Sequence, residues 1–299
     1  MIAKVPATAD HRTFMGRLSP GAFAVNFNRQ PFVIQHELED HELFDLGALV
    51  DLSRQLPATS VEYNSGDLPV SQDPDRTPMN GLSHDETIRR IQECRSWLVL
   101  KNVEQHPAYC RLLDQCLDEI QSVSEKIAPG MTQREGFIFI SSPGSVTPYH
   151  IDPENNFLLQ VRGQKQVHMY DPLDREVISE QAIEDFFAGA HRNLEFHEAL
   201  HGRGHWFNLK PGQALHFPVV APHWVQNGDQ VSVSFSITFQ TDDSMRRQTL
   251  HRFNRRMRRW GLTPTPVGFN AVRDNAKYFL VNAVRQSSRV WRWQKSEAR

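Results

Sequence analysis

A chain of 299 residues, 39% hydrophobic and 10% aromatic, is long enough to bury a sizeable core and too rich in aromatics for a disordered segment. Residues 211–228 lack Asp, Glu, Lys and Arg, but their three prolines and two glycines exclude a membrane-spanning helix there. The net charge of -2 hides an asymmetry: residues 245–299 carry 14 Lys and Arg against 2 acidic residues, leaving 19 against 33 for residues 1–244, an acidic body with a basic appendage. The three cysteines, Cys94, Cys110 and Cys116, form no CxxC pair, and the first ten residues lack the apolar run of a secretory signal, so a reducing, cytoplasmic location is expected.

Residues 31–35 (PFVIQ) read as a strand, 40–54 as a helix, and the Pro-, Asp-, Asn-, Ser- and Gly-rich residues 60–83 as a long loop or lid. Residues 85–94 look helical and 97–101 (WLVLK) look like a strand. From 109 to 127 the apolar residues Leu112, Leu113, Cys116, Leu117, Ile120, Val123 and Ile127 recur at helical spacing. Residues 1–135 thus form an α/β portion expected to pack on a β-rich core. From 136 to 240 the apolar runs are short and β-rich (GFIFISS, NFLLQVRG, KQVHMYDP, GHWFNLKPG, ALHFPV, VSVSFSITF), as in an antiparallel sandwich or barrel, interrupted by a short helix at 180–190. Residues 231–239 alternate apolar residues with Ser and Thr, predicting one packed face and one turned to a polar interior or to solvent. Residues 241–299 read as two basic helices separated by Gly261, Pro264 and Pro266. The first has an apolar stripe of Leu250, Phe253, Met257 and Trp260, and in the second Phe279, Trp291 and Trp293 are expected to pack rather than to stack on bases.

The chemistry concentrates in TPYHIDPENNFLLQVRGQK (147–165) and PHW (222–224). His150 and Asp152 are two apart and on a strand share a face, while His223 lies about seventy residues on, after a Pro-flanked turn. Two histidines and one carboxylate make the facial triad of non-heme Fe(II) sites, which leaves the opposite positions open. Lys165 follows a turn glycine. It is either a surface lysine or, on a strand entering a polar interior, a group that requires an anion such as a carboxylate, with the Thr147 hydroxyl beside it.

The segments at 136–172, 212–227 and 231–239 resemble the cupin-like, Jumonji C family of Fe(II)- and 2-oxoglutarate-dependent oxygenases, nearest in pattern to the asparaginyl hydroxylase that inhibits the hypoxia-inducible factor. The resemblance implies a double-stranded β-helix (cupin or jelly-roll barrel) at 136–240. It implies metal ligation by His150, Asp152 and His223. Thr147 and Lys165 match the positions that hold the distal carboxylate of 2-oxoglutarate, Asn156 matches a cosubstrate neighbour, and Ser236 stands where the relative has Asn. It further implies hydroxylation of a C–H bond, in a protein or peptide side chain or a small metabolite, with release of succinate and CO2, and homodimerisation through the C-terminal helices; hydroxylation fits the pattern better than lysine demethylation does.

Two other readings stand beside it. One is a non-catalytic, metal-binding regulator whose basic helices contact a partner or DNA, through Arg246, Arg247, Arg252, Arg255, Arg256, Arg258 and Arg259. The absence of RNA-binding aromatic motifs and of zinc-finger spacing counts against nucleic acid. The other is a cupin isomerase or a dioxygenase without cosubstrate, whose additional histidine ligand would be His168 or His216. The row His197, His201, His205 has the spacing of a helical zinc site, but Gly202 and Gly204 favour a loop.

Overall fold

The structure, a computed structural model, describes residues 19–297; the side chains of Ala22 and of residues 285–297 lie outside that description, and with them the expected packing of Trp291 and Trp293. Helices α1 (Pro20–Asn26), α2 (Leu46–Gln55), α3 (His84–Arg89) and α4 (Pro107–Ser124) alternate with strands β1 (Phe32–Gln35), β2 (Val61–Ser65) and β3 (Ser96–Lys101). Then come β4 (Thr132–Ser141), β5 (Val146–His150), β6 (Asn155–Arg162), β7 (Lys165–Met169), helix α5 (Glu180–Phe187), and β8 (His205–Leu209), β9 (Gln213–Phe217), β10 (His223–Asn227) and β11 (Ser232–Gln240). Helices α6 (Asp242–Arg259) and α7 (Ala271–Glu297) complete the chain's described elements.

The strands form two antiparallel sheets, ordered β1-β9-β6-β11-β4-β3-β2 and β5-β10-β7-β8. From β4 onward the chain passes from one sheet to the other and back, which is the winding of a double-stranded β-helix. The N-terminal strands do not stand apart: β1 extends one edge of the larger sheet, and β3 and β2 the other.

Alternation along β11 decides which face does what. Val233, Phe235, Ile237 and Phe239 are buried with Phe157 and Leu159 of β6 against Phe23, Leu49, Leu52, Leu113, Leu117 and Ile120 of the N-terminal helices. The large apolar core therefore lies outside the barrel. The opposite face turns inward: Ser234 Oγ donates to Gln160 Oε1 (2.7 Å) and Ser236 Oγ to Asn156 Oδ1 (2.7 Å), so the Ser/Thr side faces a polar interior rather than solvent. A smaller cluster, Leu158, Val167, Met169, Leu209, Leu215, Phe217 and Val225, joins the two sheets from inside. Between β6 and β7 the chain turns at Gly163 (φ 68°), where a Cβ would lie 2.4 Å from the Val231 carbonyl oxygen, so glycine is required just before Lys165.

Four expectations are corrected. Residues 61–65 are a strand, not loop: VEYNS pairs antiparallel with β3, a half-buried sheet edge too polar for the alternation to be visible. The helix expected over 40–54 breaks at Asp45, with a 3-10 turn before α2. Strands β5 and β10 are additional. On α6 the buried positions are Ser244, Thr249, Leu250, His251 and Asn254, while Trp260 is 78% exposed, and on α7 Phe279 is 72% exposed rather than packed.

The basic helix α6 docks on the acidic α5. Arg258 Nε donates to Glu184 Oε2 (2.6 Å), a carboxylate with no exposed surface, Arg255 pairs with Asp185, and Arg252 Nε donates to the Phe187 carbonyl (2.9 Å). Arg246 and Arg247 are taken up by Asn275 and Asp243, so five of the seven arginines of this patch have partners within the chain. Arg258→Met leaves Glu184 buried and unpaired, and is expected to cost about 1–3 kcal/mol in urea unfolding. A change below about 0.5 kcal/mol would show that this pair does not hold α6 in place.

Candidate functional site

β10 pairs with β5 so that His223 faces His150, and the two ring centroids are 4.1 Å apart. Strand β5 ends at His150, so Asp152 lies just beyond it rather than on it; the turn that carries it is held by the Ile151 N–H, which donates to the Arg192 carbonyl (3.1 Å). Asp152 Oδ2 is 3.7 Å from His150 Nε2 and 3.6 Å from His223 Nε2, and one donor atom from each residue lies within 4.8 Å of the others. Donors around a first-row dication at ~2.1 Å are roughly 3–3.5 Å apart, so a small closure completes such a site. Among the described residues no other group of His, Cys, Asp or Glu converges in this way.

Both histidines are prepared as ligands by the same local device. His150 Nδ1 lies 2.7 Å from the Pro148 carbonyl and His223 Nδ1 2.9 Å from the Ala221 carbonyl, each two residues back. A carbonyl only accepts, so each Nδ1 carries the proton and each Nε2 presents its lone pair to the centre. Burial, reinforced at His150 by His223 and Arg192, holds both below the usual imidazole range, so they are neutral at pH 7. Burial works against the Asp152 charge, but Arg192, whose Nη1 is 3.1 Å from Oδ1, and the two imidazoles outweigh it and bring the carboxyl to about 2. Glu154 moves the other way, to about 8, through burial and the Asp152 charge.

The cavity behind these groups is lined by Thr147, Asn156 and Lys165 together with Trp97, Phe139, Leu158, Phe217 and Val225. Lys165 is 5% exposed, and among the described residues its ammonium has no carboxylate or hydrogen-bond partner; burial lowers it to about 7. The Trp97 indole N–H is likewise buried without an acceptor. Two unpartnered donors lining one cavity, beside the Thr147 hydroxyl, fit an anionic acceptor. Outside this cavity a wider cleft opens over Glu62, Asn64, Lys101, His191, Arg192 and Asn193.

Ser236 does not line the cavity; it stands behind Asn156 and bonds its side-chain oxygen. His216 is a packed histidine: its Nδ1 donates to the Asn156 carbonyl (3.1 Å), its Nε2 accepts from Asn28 N–H (3.1 Å), and Phe27 stacks on it. His168 is similarly spent between the Arg203 carbonyl (2.7 Å) and the Tyr170 hydroxyl (3.1 Å). His197 and His201 flank a 3-10 turn and His205 starts β8, so that row forms no cluster. Sequence reasoning missed Trp97, Phe139 and Arg192. The first two sit on strands that it did identify, but no spacing rule ties a distant loop arginine to Asp152.

The sequence model of the cupin-like domain family matches residues 25–245. HSPB1-associated protein 1 of Rattus norvegicus is 28% identical over 124 residues, 38% of this chain and 26% of its own length. JmjC domain-containing protein D of Dictyostelium discoideum is 22% identical over 182 residues, 56% of this chain and 36% of its own. The chain thus spans about a quarter to a third of the length of these relatives. Among solved structures, YcfD of Escherichia coli superposes with a TM-score of 0.54 at 15% identity, over 90% of this chain and 68% of that one.

A buried ammonium with no partner is a cost to the fold that Lys165→Met removes. The folded-state value near 7 lies below the ordinary 10.5, so the penalty is fully present below pH 7 and fades as pH rises toward 10.5. The variant is expected to be more stable than the parent by about 2–4 kcal/mol at pH 6 and by little at pH 10.5, read by urea unfolding. Equal stability at pH 6 would mean that the lysine is not buried.

Proposed function

The chain belongs to the cupin-like domain family, and from that premise we propose that it is an Fe(II)- and 2-oxoglutarate-dependent oxygenase that hydroxylates a C–H bond of a protein or peptide side chain or a small metabolite, releasing succinate and CO2. The observation that carries this reading is the pairing of a two-histidine, one-carboxylate cluster with a cavity lined by a buried lysine that has no carboxylate partner among the described residues.

The residues present fit the group: His150 Nε2, His223 Nε2 and Asp152 Oδ2 would hold Fe(II), and Lys165 and Thr147 the distal carboxylate of 2-oxoglutarate, with Asn156 beside it. When bound, the metal would supply, with 2-oxoglutarate and O2 as cosubstrates, the oxidising chemistry: one atom of O2 goes to the hydroxylated C–H bond and the other to the succinate formed as 2-oxoglutarate loses CO2. The chain does the rest. Its neutral imidazoles need lose no proton to ligate. Phe139, Leu158, Phe217 and Val225 exclude water, which strengthens the attraction of Lys165 for a carboxylate. Asn156 is fixed by Ser236, so its amide holds one orientation toward the cavity. The wider cleft, which shares Trp97, Phe139, Thr147 and His150 with the cavity, is the entry for the substrate to be hydroxylated.

The same proposal includes a cytoplasmic homodimer. No helix of the described residues is long and apolar enough to cross a membrane. On α7, Val272, Phe279 and Leu280 are 77%, 72% and 54% exposed, and Val272 and Phe279, seven residues apart, share a helix face away from the buried Asp274. An exposed apolar patch of this kind is covered most simply by a second copy. The engagement of five arginines within the chain favours this over a nucleic-acid surface.

Two measurements test these statements. With Fe(II) present, the full chain should decarboxylate 2-oxoglutarate, read as release of labelled CO2, and His223→Ala should lose the activity at least 100-fold; parent and variant alike inactive, with every protein substrate and metabolite tried, would contradict the oxygenase. Light scattering should give twice the chain mass for the parent and the single mass for Phe279→Glu with Leu280→Glu, whereas a monomeric parent would remove the dimer.

A further inference from the structure

Arg192, which the family pattern of residues does not include, forms an ion pair with the metal cluster through Asp152. It lies in the segment after α5, and two backbone hydrogen bonds, which together make one antiparallel bridge, fix that segment against the end of β5. Ile151 N–H donates to the Arg192 carbonyl (3.1 Å), Leu194 N–H donates to the Tyr149 carbonyl (2.9 Å), and His150 and Asn193 form an antiparallel bridge between them. The neighbouring Asn193 side chain donates to the Gln72 carbonyl (3.0 Å), tying the same segment to the loop after β2. The arginine is thus presented by a short, paired piece of backbone, not by a free loop.

Its contact divides the carboxylate. Nη1 reaches Asp152 Oδ1 at 3.1 Å, while Oδ2 is the oxygen 3.6–3.7 Å from both imidazole Nε2 atoms. A carboxylate with one oxygen engaged by a guanidinium has only the other to give a cation. We propose that Arg192 is a positioning residue that, by engaging Oδ1, fixes the Asp152 carboxylate with Oδ2 aimed at the metal position between the two imidazoles. The proposal rests on the reading of His150, Asp152 and His223 as metal ligands. The side chain remains 42% exposed and lines the outer cleft, so the residue that aims the ligand also borders the path of the incoming substrate.

Charge and positioning predict opposite signs, which makes the idea testable without turnover. If Arg192 acted only as a nearby positive charge, its removal would tighten the binding of a dication. If it aims Asp152, its removal releases the carboxylate to rotate and weakens binding, by the ~10-fold or more typical of groups that orient metal ligands. The experiment is calorimetric titration of the metal-free full chain with Co(II), comparing the parent with Arg192→Met, Arg192→Gln and Arg192→Lys. The expected result is a dissociation constant raised about tenfold in Arg192→Met and Arg192→Gln, with Arg192→Lys between them and the parent because an ammonium still bonds Oδ1. Thermal melting of the metal-free proteins identifies any variant that fails to fold, and the folded members of the set decide. Unchanged or tighter Co(II) binding in the neutral variants overturns the positioning role while leaving the metal site standing. A parent that binds no Co(II) overturns the site and this inference together.

Discussion

The antiparallel pairing of β10 with β5, which sets His223 opposite His150, is the constraint on which the rest depends. It brings two imidazoles from distant parts of the chain to 4.1 Å, closer than two charged rings would tolerate in a buried place. They coexist because both are neutral, and both are neutral with a defined tautomer because each Nδ1 donates to a carbonyl two residues back. The lone pairs that result, together with Asp152 Oδ2, are what a cation would find. A pairing shifted by one residue would turn one imidazole to the other face of the sheet and leave no site.

The large sheet reconciles stability with a polar interior. Its apolar face is covered by α1, α2 and α4, so most hydrophobic burial is obtained outside the barrel. The inside is then free to be lined by Ser232, Ser234, Ser236, Asn156, Gln160 and Lys165, all buried, without forfeiting the core. Most of these satisfy one another, as Gln160 and Ser234 do, and Asn156 and Ser236. Among the described residues Lys165 and the Trp97 indole find no partner, and two unmet donors lining the same cavity mark where a ligand is expected.

Much of this was legible in the sequence, for physical reasons. Strand β11 could be read as one packed and one polar face, though not whether the polar face meets an interior or solvent, because period-two alternation survives burial on both sides when one side is Ser and Thr. Helix α4 carried clear spacing. The cluster His150, Asp152, His223 was visible as ligand types at a spacing known from a family, and the structure brings the three together. Strand β2 was not legible, since VEYNS is a polar edge whose identity comes from its partner β3. The break at Asp45 and the exposure of Trp260 and Phe279 were missed because helical periodicity says which residues share a face, not which face meets a neighbour. Arg192 was beyond reach: its link to Asp152 spans forty residues and exists only through the backbone pairing of its segment with β5.

The central claim is that one pocket holds both a metal at His150, Asp152 and His223 and a 2-oxoglutarate carboxylate at Lys165. Its most direct test is anaerobic titration of the Fe(II)-loaded chain with 2-oxoglutarate, following the visible charge-transfer absorption of the chelate in the parent and in Lys165→Ala. The account predicts a saturable band in the parent and a dissociation constant at least tenfold weaker in the variant. Bound iron that gives no band with 2-oxoglutarate, or a band indifferent to Lys165, would contradict it.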